Sequence, residues 1–189
     1  MNQAAGIVLA AGAGVRYGGP KALVELHGEL LVERAVRTLR EAGVDPVVVV
    51  VGARGDEVRA RASLDGALLV HNPEWASGMG SSLRAGLMGL ISCRAAAVLV
   101  LPVDMPGVTP AAVRRVTELS TPDVLAAASF DGVRGHPVLL GRAHWAAVAT
   151  SATGDQGART YLREHPPVLV ACDDVASGAD VDRPEDLPT

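Results

Sequence analysis

Two cations, Arg16 and Lys21, sit in a stretch otherwise built almost wholly of small residues: Leu9-Ala10-Ala11-Gly12-Ala13-Gly14-Val15-Arg16-Tyr17-Gly18-Gly19-Pro20-Lys21. Glycines let a backbone approach a phosphate closely, main-chain N–H groups supply donors, and the two side chains add charge. Lys21 is the only lysine among 17 Lys plus Arg, so arginine serves wherever else the chain needs a cation. The chemistry such a loop offers is the handling of phosphates. A Walker A loop is excluded, because Gly14-x4-Gly19 is followed by Pro20, with Lys21 one place late and Ala22 where a hydroxyl belongs. A dinucleotide fingerprint from Gly12 and Gly14 has Tyr17 at its third glycine, and the next strand ends in Val51-Gly52 without an acid for the ribose. The bland alternative is a glycine-rich turn with incidental cations.

Further along stands Asp104, in Pro102-Val103-Asp104-Met105-Pro106, just past an apolar run. A carboxylate there can hold Mg2+ against phosphate oxygens, or it can be a plain turn residue. Asn72-Pro73-Glu74-Trp75-Ala76-Ser77-Gly78-Met79-Gly80-Ser81-Ser82 offers small residues and hydroxyls before a helix, suited to a nucleoside, with Gly78 and Ser82 foremost. A capped helix with Trp75 packed on the core is the competing reading. Arg134-Gly135-His136-Pro137 and Gly154-Asp155-Gln156-Gly157-Ala158-Arg159 place His136 and Asp155 in turns that serve either substrate or structure. Asp180-Val181-Asp182-Arg183-Pro184 reads as a strand end before a Pro-initiated turn, its acids either ligands or solvated surface.

The elements that must position these groups follow from the apolar pattern. Ala4–Ala10 is a short buried strand, and Val47–Val51 is an unbroken β-branched run, the mark of a central parallel strand buried on both faces. Strands are also expected at 67–70, 96–101, 124–128 and 168–171, with a return strand at 136–140 after the Asp131-Gly132 turn. Helical spacing covers 30–42 and 56–62, begins again near Ser82, and returns at 143–149 and 156–164. Thr109-Pro110 is an N-cap with proline in the first turn. Alternating strands and helices predict one α/β domain over residues 1–189, a doubly wound, mostly parallel sheet with a small antiparallel insertion at one side. The glycine loop and Asp104 then share the carboxyl edge of that sheet, where open α/β folds bind ligands.

Composition narrows the classes. A net charge of −4 and 3% aromatics argue against a nucleic-acid surface or a base-stacking platform. Cys93 and Cys172 make neither a metal-ligand spacing nor a disulfide framework and read as small core residues. The start MNQAAGIVLAAGAG lacks a signal-peptide pattern and no apolar stretch reaches membrane length, so a cytoplasmic protein without membrane partners is expected.

In order and spacing these segments resemble the molybdenum cofactor nucleotidyltransferases over nearly the whole chain, a family with a glycosyltransferase-A-like (nucleotide-diphospho-sugar transferase) fold. Leu9-Ala10-Ala11-Gly12 resembles the cytidylyltransferase branch, where the guanylyltransferase branch carries Leu-Ala-Gly-Gly. The resemblance implies transfer of CMP from CTP to the terminal phosphate of molybdopterin with release of pyrophosphate. It implies Arg16 and Lys21 on the triphosphate, Asp104 and Asp182 on Mg2+ (or Mn2+), and Asp180 as a helper. Leu9, Ala10, Ala11, Gly12 and Gly14, with Gly78 and Ser82, would hold the nucleotide, and His136 and the 154–159 loop, Asp155 included, would face the pterin. Tyr17, where the family often has Met, and Pro20 depart from its pattern without removing a charge. Alternatives are GTP as donor, another phosphorylated small molecule as acceptor, or a non-catalytic cofactor carrier. A monomer or weak oligomer is expected, with a molybdoenzyme apoprotein or its accessory factor as a further partner.

Overall fold

A computed structural model describes residues 4–188. Its framework is a seven-stranded sheet built around β1 (Ala4–Ala10), which pairs in parallel with β4 (Val47–Val51) on one side and β6 (Ala97–Pro102) on the other. β5 (Leu68–His71) extends the β4 side. Beyond β6 come β8 (Val133–Gly141), β7 (Leu125–Phe130) and β9 (Val168–Ala171), giving the order β5-β4-β1-β6-β8-β7-β9. β8 is the one strand running against the others, antiparallel to both β6 and β7. It is therefore an interior strand rather than an appendage at the side. The hairpin turn at Asp131-Gly132 returns the chain between two strands already in place. A separate two-stranded ribbon, β2 (Glu25–Leu26) with β3 (Glu29–Leu30), follows the glycine loop.

Side chains alternate across each strand and so divide the core in two. Ala4, Val8 and Ala10 of β1, with Val47, Val49 and Val51 of β4, face α1 (Leu31–Glu41), α2 (Gly55–Arg61) and α4 (Pro110–Thr117). Ala5, Ile7 and Leu9, with Val48 and Val50, face α3 (Met79–Gly89), α5 (Trp145–Ser151) and α6 (Arg159–Glu164). Both faces of β1 and β4 are buried, which is why their sequences are continuous apolar runs. Cys172 is buried as expected, whereas Cys93 is only half-buried, beside Arg142. No helix among the described residues is long and apolar enough to cross a membrane.

Two helix starts differ from the sequence pattern. α3 begins at Met79 rather than near Ser82, and its first turn carries Gly80, which with Gly78 packs closely against the loop at 152–155. The predicted 156–164 helix is a 3-10 turn at Gly154–Gln156, then α6, broken at Gly157 with φ +51°. Thr109 caps α4 as predicted, accepting the Ala112 N–H at 3.3 Å.

Candidate active site

The carboxyl ends of β1 and β6 open onto a cleft of about 460 Å³, lined by the glycine loop, the start of α3, Pro102 to Asp104, Asp155 and Asp182. The loop's shape comes from Gly14, at φ +61°, whose carbonyl accepts the N–H groups of Tyr17, Gly18 and Gly19 at 3.0, 2.9 and 3.1 Å. Those three amides are spent on the turn itself. The amides of Ala13, Gly14 and Val15 make no hydrogen bond among the described residues and remain for a ligand. Pro20 precedes a 3-10 turn over Lys21–Leu23, which fixes the lysine at the floor of the cleft.

Lys21 is the centre of the site. Its Nζ donates to Asp104 Oδ2 at 2.8 Å and to Asp182 Oδ1 at 2.7 Å, while Arg16 pairs with the other oxygen of Asp182. Two cations and two carboxylates sum to zero charge. Burial alone would depress the Lys21 pKa, but the two carboxylates outweigh it and raise the value above the ordinary range for lysine. Asp182 is correspondingly held below the usual carboxylate range, chiefly by its hydrogen bond from Lys21.

Asp182 lies far from Lys21 in sequence, and two main-chain bonds and one side-chain bond bring its segment in. Val181 N–H donates to the Asp104 carbonyl at 2.8 Å, Ser177 N–H to Gly107 at 3.0 Å, and Thr109 Oγ1 to Val175 at 2.9 Å. Asp186 then accepts the N–H groups of Asp182 and Arg183 at 3.1 and 2.8 Å, fixing the approach of the carboxylate. Asp180 is exposed and does not line the cleft.

The opposite wall is the turn before α3. Gly78 has φ +108°, and a Cβ there would come within 2.4 Å of Gly154, so glycine lets the two loops touch. Leu9, Ala11, Gly12, Gly14, Gly78, Ser82 and Asp155 all line the cleft. Ala10 does not, because its side chain points to the α1 face of the sheet. Trp75 and Met79 also form this wall, and the sequence reading assigned neither to the ligand. Gly52, directly after β4, leaves room for Trp75, since a Cβ there would sit 2.4 Å from the Trp75 Cβ.

His136 belongs to a neighbouring, more enclosed pocket of about 230 Å³ that shares Leu9 and Met79 with the cleft. Burial pushes its pKa down to about 4, with Arg159 and Arg134 acting in the same direction against the raising effect of Asp104. It is thus a neutral imidazole in a pocket whose positive charge comes from Arg134 and Arg159. The sequence reading included Arg159 only as part of the substrate-facing 154–159 loop and did not name Arg134 as a site residue.

Asp104 and Asp182 both offer hard oxygen donors, and they already converge on a single cationic nitrogen. That arrangement fits a divalent ion completed by phosphate oxygens and water. No group of three or more His, Cys, Asp or Glu side chains suited to a metal occurs among the described residues.

Against this geometry stand the comparisons. The sequence profile of the MobA-like NTP transferase domain matches residues 6–168. Nicotine blue oxidoreductase of Paenarthrobacter nicotinovorans is 40% identical over 192 residues, spanning 96% of this chain and 93% of that protein. A "probable molybdenum cofactor guanylyltransferase" of Opitutus terrae is 38% identical over 107 residues, 57% of this chain and 50% of its own. Among solved structures, Rv0371c of Mycobacterium tuberculosis H37Rv superposes with TM-score 0.84 at 28% identity, over 98% of this chain and 95% of that one. The same protein has also been solved in complex with manganese, matching with TM-score 0.80 at 25% identity over 97% and 95% of the two chains.

Proposed function

The chain belongs to the MobA-like NTP transferase domain family, and from that premise we propose that it transfers CMP from CTP to the terminal phosphate of molybdopterin, releasing pyrophosphate. The observation that carries the reading is the Lys21 ammonium joined to Asp104 and Asp182 beneath the glycine loop. The donor is proposed as CTP on the Leu9-Ala10-Ala11-Gly12 sequence, although the partial relative from Opitutus terrae is named for guanylyl transfer.

In this reading the acceptor phosphate oxygen forms a bond to the α-phosphorus of CTP as the α–β bridging oxygen departs in line with its electron pair. Most of the catalysis is positioning and charge stabilisation. The free amides of Ala13, Gly14 and Val15, with Arg16 and Lys21, bind the triphosphate, and the two cations take up the charge that grows on pyrophosphate. Asp104 and Asp182 would hold Mg2+ or Mn2+. A bound divalent ion supplies neutralisation of the phosphate oxygens. Ala11, Gly12, Gly78 and Ser82 enclose the nucleoside. Arg134, His136 and Arg159 line the pocket proposed for the acceptor, where two guanidiniums match a phosphate and the neutral imidazole adds a hydrogen bond without charge.

Pyrophosphate release from CTP, GTP, ATP and UTP, each with molybdopterin, tests this. The expected result is CTP well ahead. Equal or greater turnover with GTP would end the cytidylyl reading and leave the transferase reading standing.

A second reading comes from the full-length relative named an oxidoreductase. Under it the chain would reduce an acceptor at the expense of an external reductant, and the missing third glycine of a dinucleotide fingerprint at Tyr17 weighs against that reading. Oxidation of NAD(P)H in the presence of such an acceptor, with no nucleoside triphosphate and no pyrophosphate formed, would support that reading over the first.

A further inference from the structure

Ser81 and Ser82 are adjacent, nearly identical in burial and different in what their hydroxyls are left to do. Both lie at the start of α3, with 4% and 5% exposure. Both receive a hydrogen bond from one side chain: Asn72 Nδ2 reaches Ser81 Oγ at 2.8 Å and Ser82 Oγ at 3.1 Å. Asn72 is itself 3% exposed, and its backbone N–H is anchored to the Val51 carbonyl at the end of β4.

The amide cannot be turned the other way. Asn72 Oδ1 accepts the Glu74 N–H at 3.0 Å, and a flipped amide would face that donor with its own NH2 group. With Oδ1 so committed, Nδ2 must donate to both serines and both must accept.

What differs is the hydroxyl hydrogen. Ser81 spends its own on the carbonyls of Glu74 and Gly78, each 2.9 Å away. Ser82 has no acceptor among the described residues, yet its side chain lines the nucleotide cleft. A hydroxyl that already accepts from Asn72 has its hydrogen free to point away, into the cleft.

We infer that Asn72 is a positioning residue for nucleotide selection, which fixes the Ser82 hydroxyl as a donor to an acceptor atom on the edge of the nucleobase. The inference rests on the proposed use of the cleft for a nucleoside triphosphate, but not on that nucleotide being CTP. With one lone pair taken by Asn72 and no acceptor for its hydrogen among the described residues, the Ser82 hydroxyl is completed by donating to the ligand, so the site favours bases that present an acceptor there.

The decisive variant is Asn72→Asp. It is nearly isosteric and keeps the acceptor for Glu74, but replaces the NH2 donor with a second carboxylate oxygen. Ser82 must then donate inward to the carboxylate, and its hydrogen leaves the cleft. Turnover and calorimetric binding are measured for all four nucleoside triphosphates with Asn72→Asp, Ser82→Ala, the double variant and Ser81→Ala. The expected result is a loss of about tenfold in preference for the best nucleotide over the others, roughly 1.4 kcal/mol. That loss should appear in KM and Kd rather than kcat, in Asn72→Asp and Ser82→Ala alike, with no further loss in the double variant. Ser81→Ala should lower the melting temperature and leave the preference unchanged.

Equal weakening towards all four nucleotides in Asn72→Asp would show a general charge or packing effect and overturn the inference, as would an unchanged preference. If Asn72→Asp fails to melt cooperatively, the two serine variants decide: equal behaviour of Ser81→Ala and Ser82→Ala overturns it. A wild-type preference for a nucleotide other than CTP would defeat the cytidylyl reading, while the same variants would still test Asn72 on the nucleotide preferred.

Discussion

Replacing Lys21 with arginine keeps the positive charge and removes the geometry. One nitrogen now lies 2.8 Å from Asp104 and 2.7 Å from Asp182, in a side chain only 15% exposed. A guanidinium spreads its nitrogens as a planar fork. With its central carbon where Nζ sits, no single nitrogen reaches both carboxylates, and the terminal nitrogens are driven into them. A charged hydrogen bond contributes about 1.5–3 kcal/mol, so losing one of the two costs roughly 10- to 150-fold in kcat/KM. Lys21→Ala, losing both, should cost on the order of 100- to 10,000-fold. The assay is pyrophosphate release at varied CTP with Mg2+ and acceptor, paired with a thermal melt to show that each variant is folded. Lys21→Arg within about threefold of wild type would mean that charge alone is needed there, and the reasoning from a single shared nitrogen would fail.

Gly78→Ala should lose most activity and about 1–3 kcal/mol of stability by urea titration, because φ is +108° and the new methyl meets Gly154. His136→Asn tests the buried imidazole. Its folded pKa, about 4, lies below the ordinary 6.5, so on acidification the unfolded chain takes up the proton first. The His136 contribution to stability should therefore fall between pH 6.5 and about 4 and level off below, by as much as about 3 kcal/mol. Urea midpoints across that range in metal-free buffer should show the slope in wild type and a shallower one in His136→Asn. An identical slope in both would place the titration elsewhere.

The strands that carry the site were legible because burial on both faces leaves no polar interruption. Ala4–Ala10 and Val47–Val51 stand where the apolar runs place them, and so does the edge strand Val168–Ala171, although it is largely exposed. Thr109-Pro110 was legible for a different reason, since a cap is a local hydrogen bond that needs no tertiary partner. The ribbon at 25–30 was not, because strands of two residues have no periodicity to detect. Nor was the interior place of β8, as a hairpin turn has the same sequence whether its strand returns at an edge or between neighbours. The candidate site shows the same division. The glycine loop and Asp104 announce themselves by local pattern, and the cleft holds both. That Asp182, rather than the neighbouring Asp180, reaches Lys21 follows from the Val181–Asp104 main-chain bond, a contact between distant segments that no spacing encodes. Arg134 was passed over, and Arg159 entered only as the end of the 154–159 loop, because sixteen arginines leave none conspicuous.

The scarcity of lysine acquires a physical reason in this arrangement. An ammonium carries three donors on one atom. Asp104 and Asp182 engage two of them, which leaves one directed at whatever enters the cleft. Arg16, 73% exposed at the rim and tied only to Asp182, has the reach to follow a phosphate outward. The two cations thus divide the work proposed for them: a buried, three-way hinge point that stays, and an exposed fork that moves with the leaving group. The division also sets an order. A bare triphosphate approaching this neutral cluster meets two carboxylates as well as two cations, whereas a metal-bound one brings the charge those carboxylates lack. If the proposed function holds, nucleotide binding measured by calorimetry should strengthen sharply when Mg2+ or Mn2+ is added. In Asp182→Asn, which frees Arg16 and half of Lys21 from their carboxylate, metal-free binding should instead improve while the gain from metal shrinks. Equal metal dependence in the two proteins would show that Asp182 serves only to place Lys21.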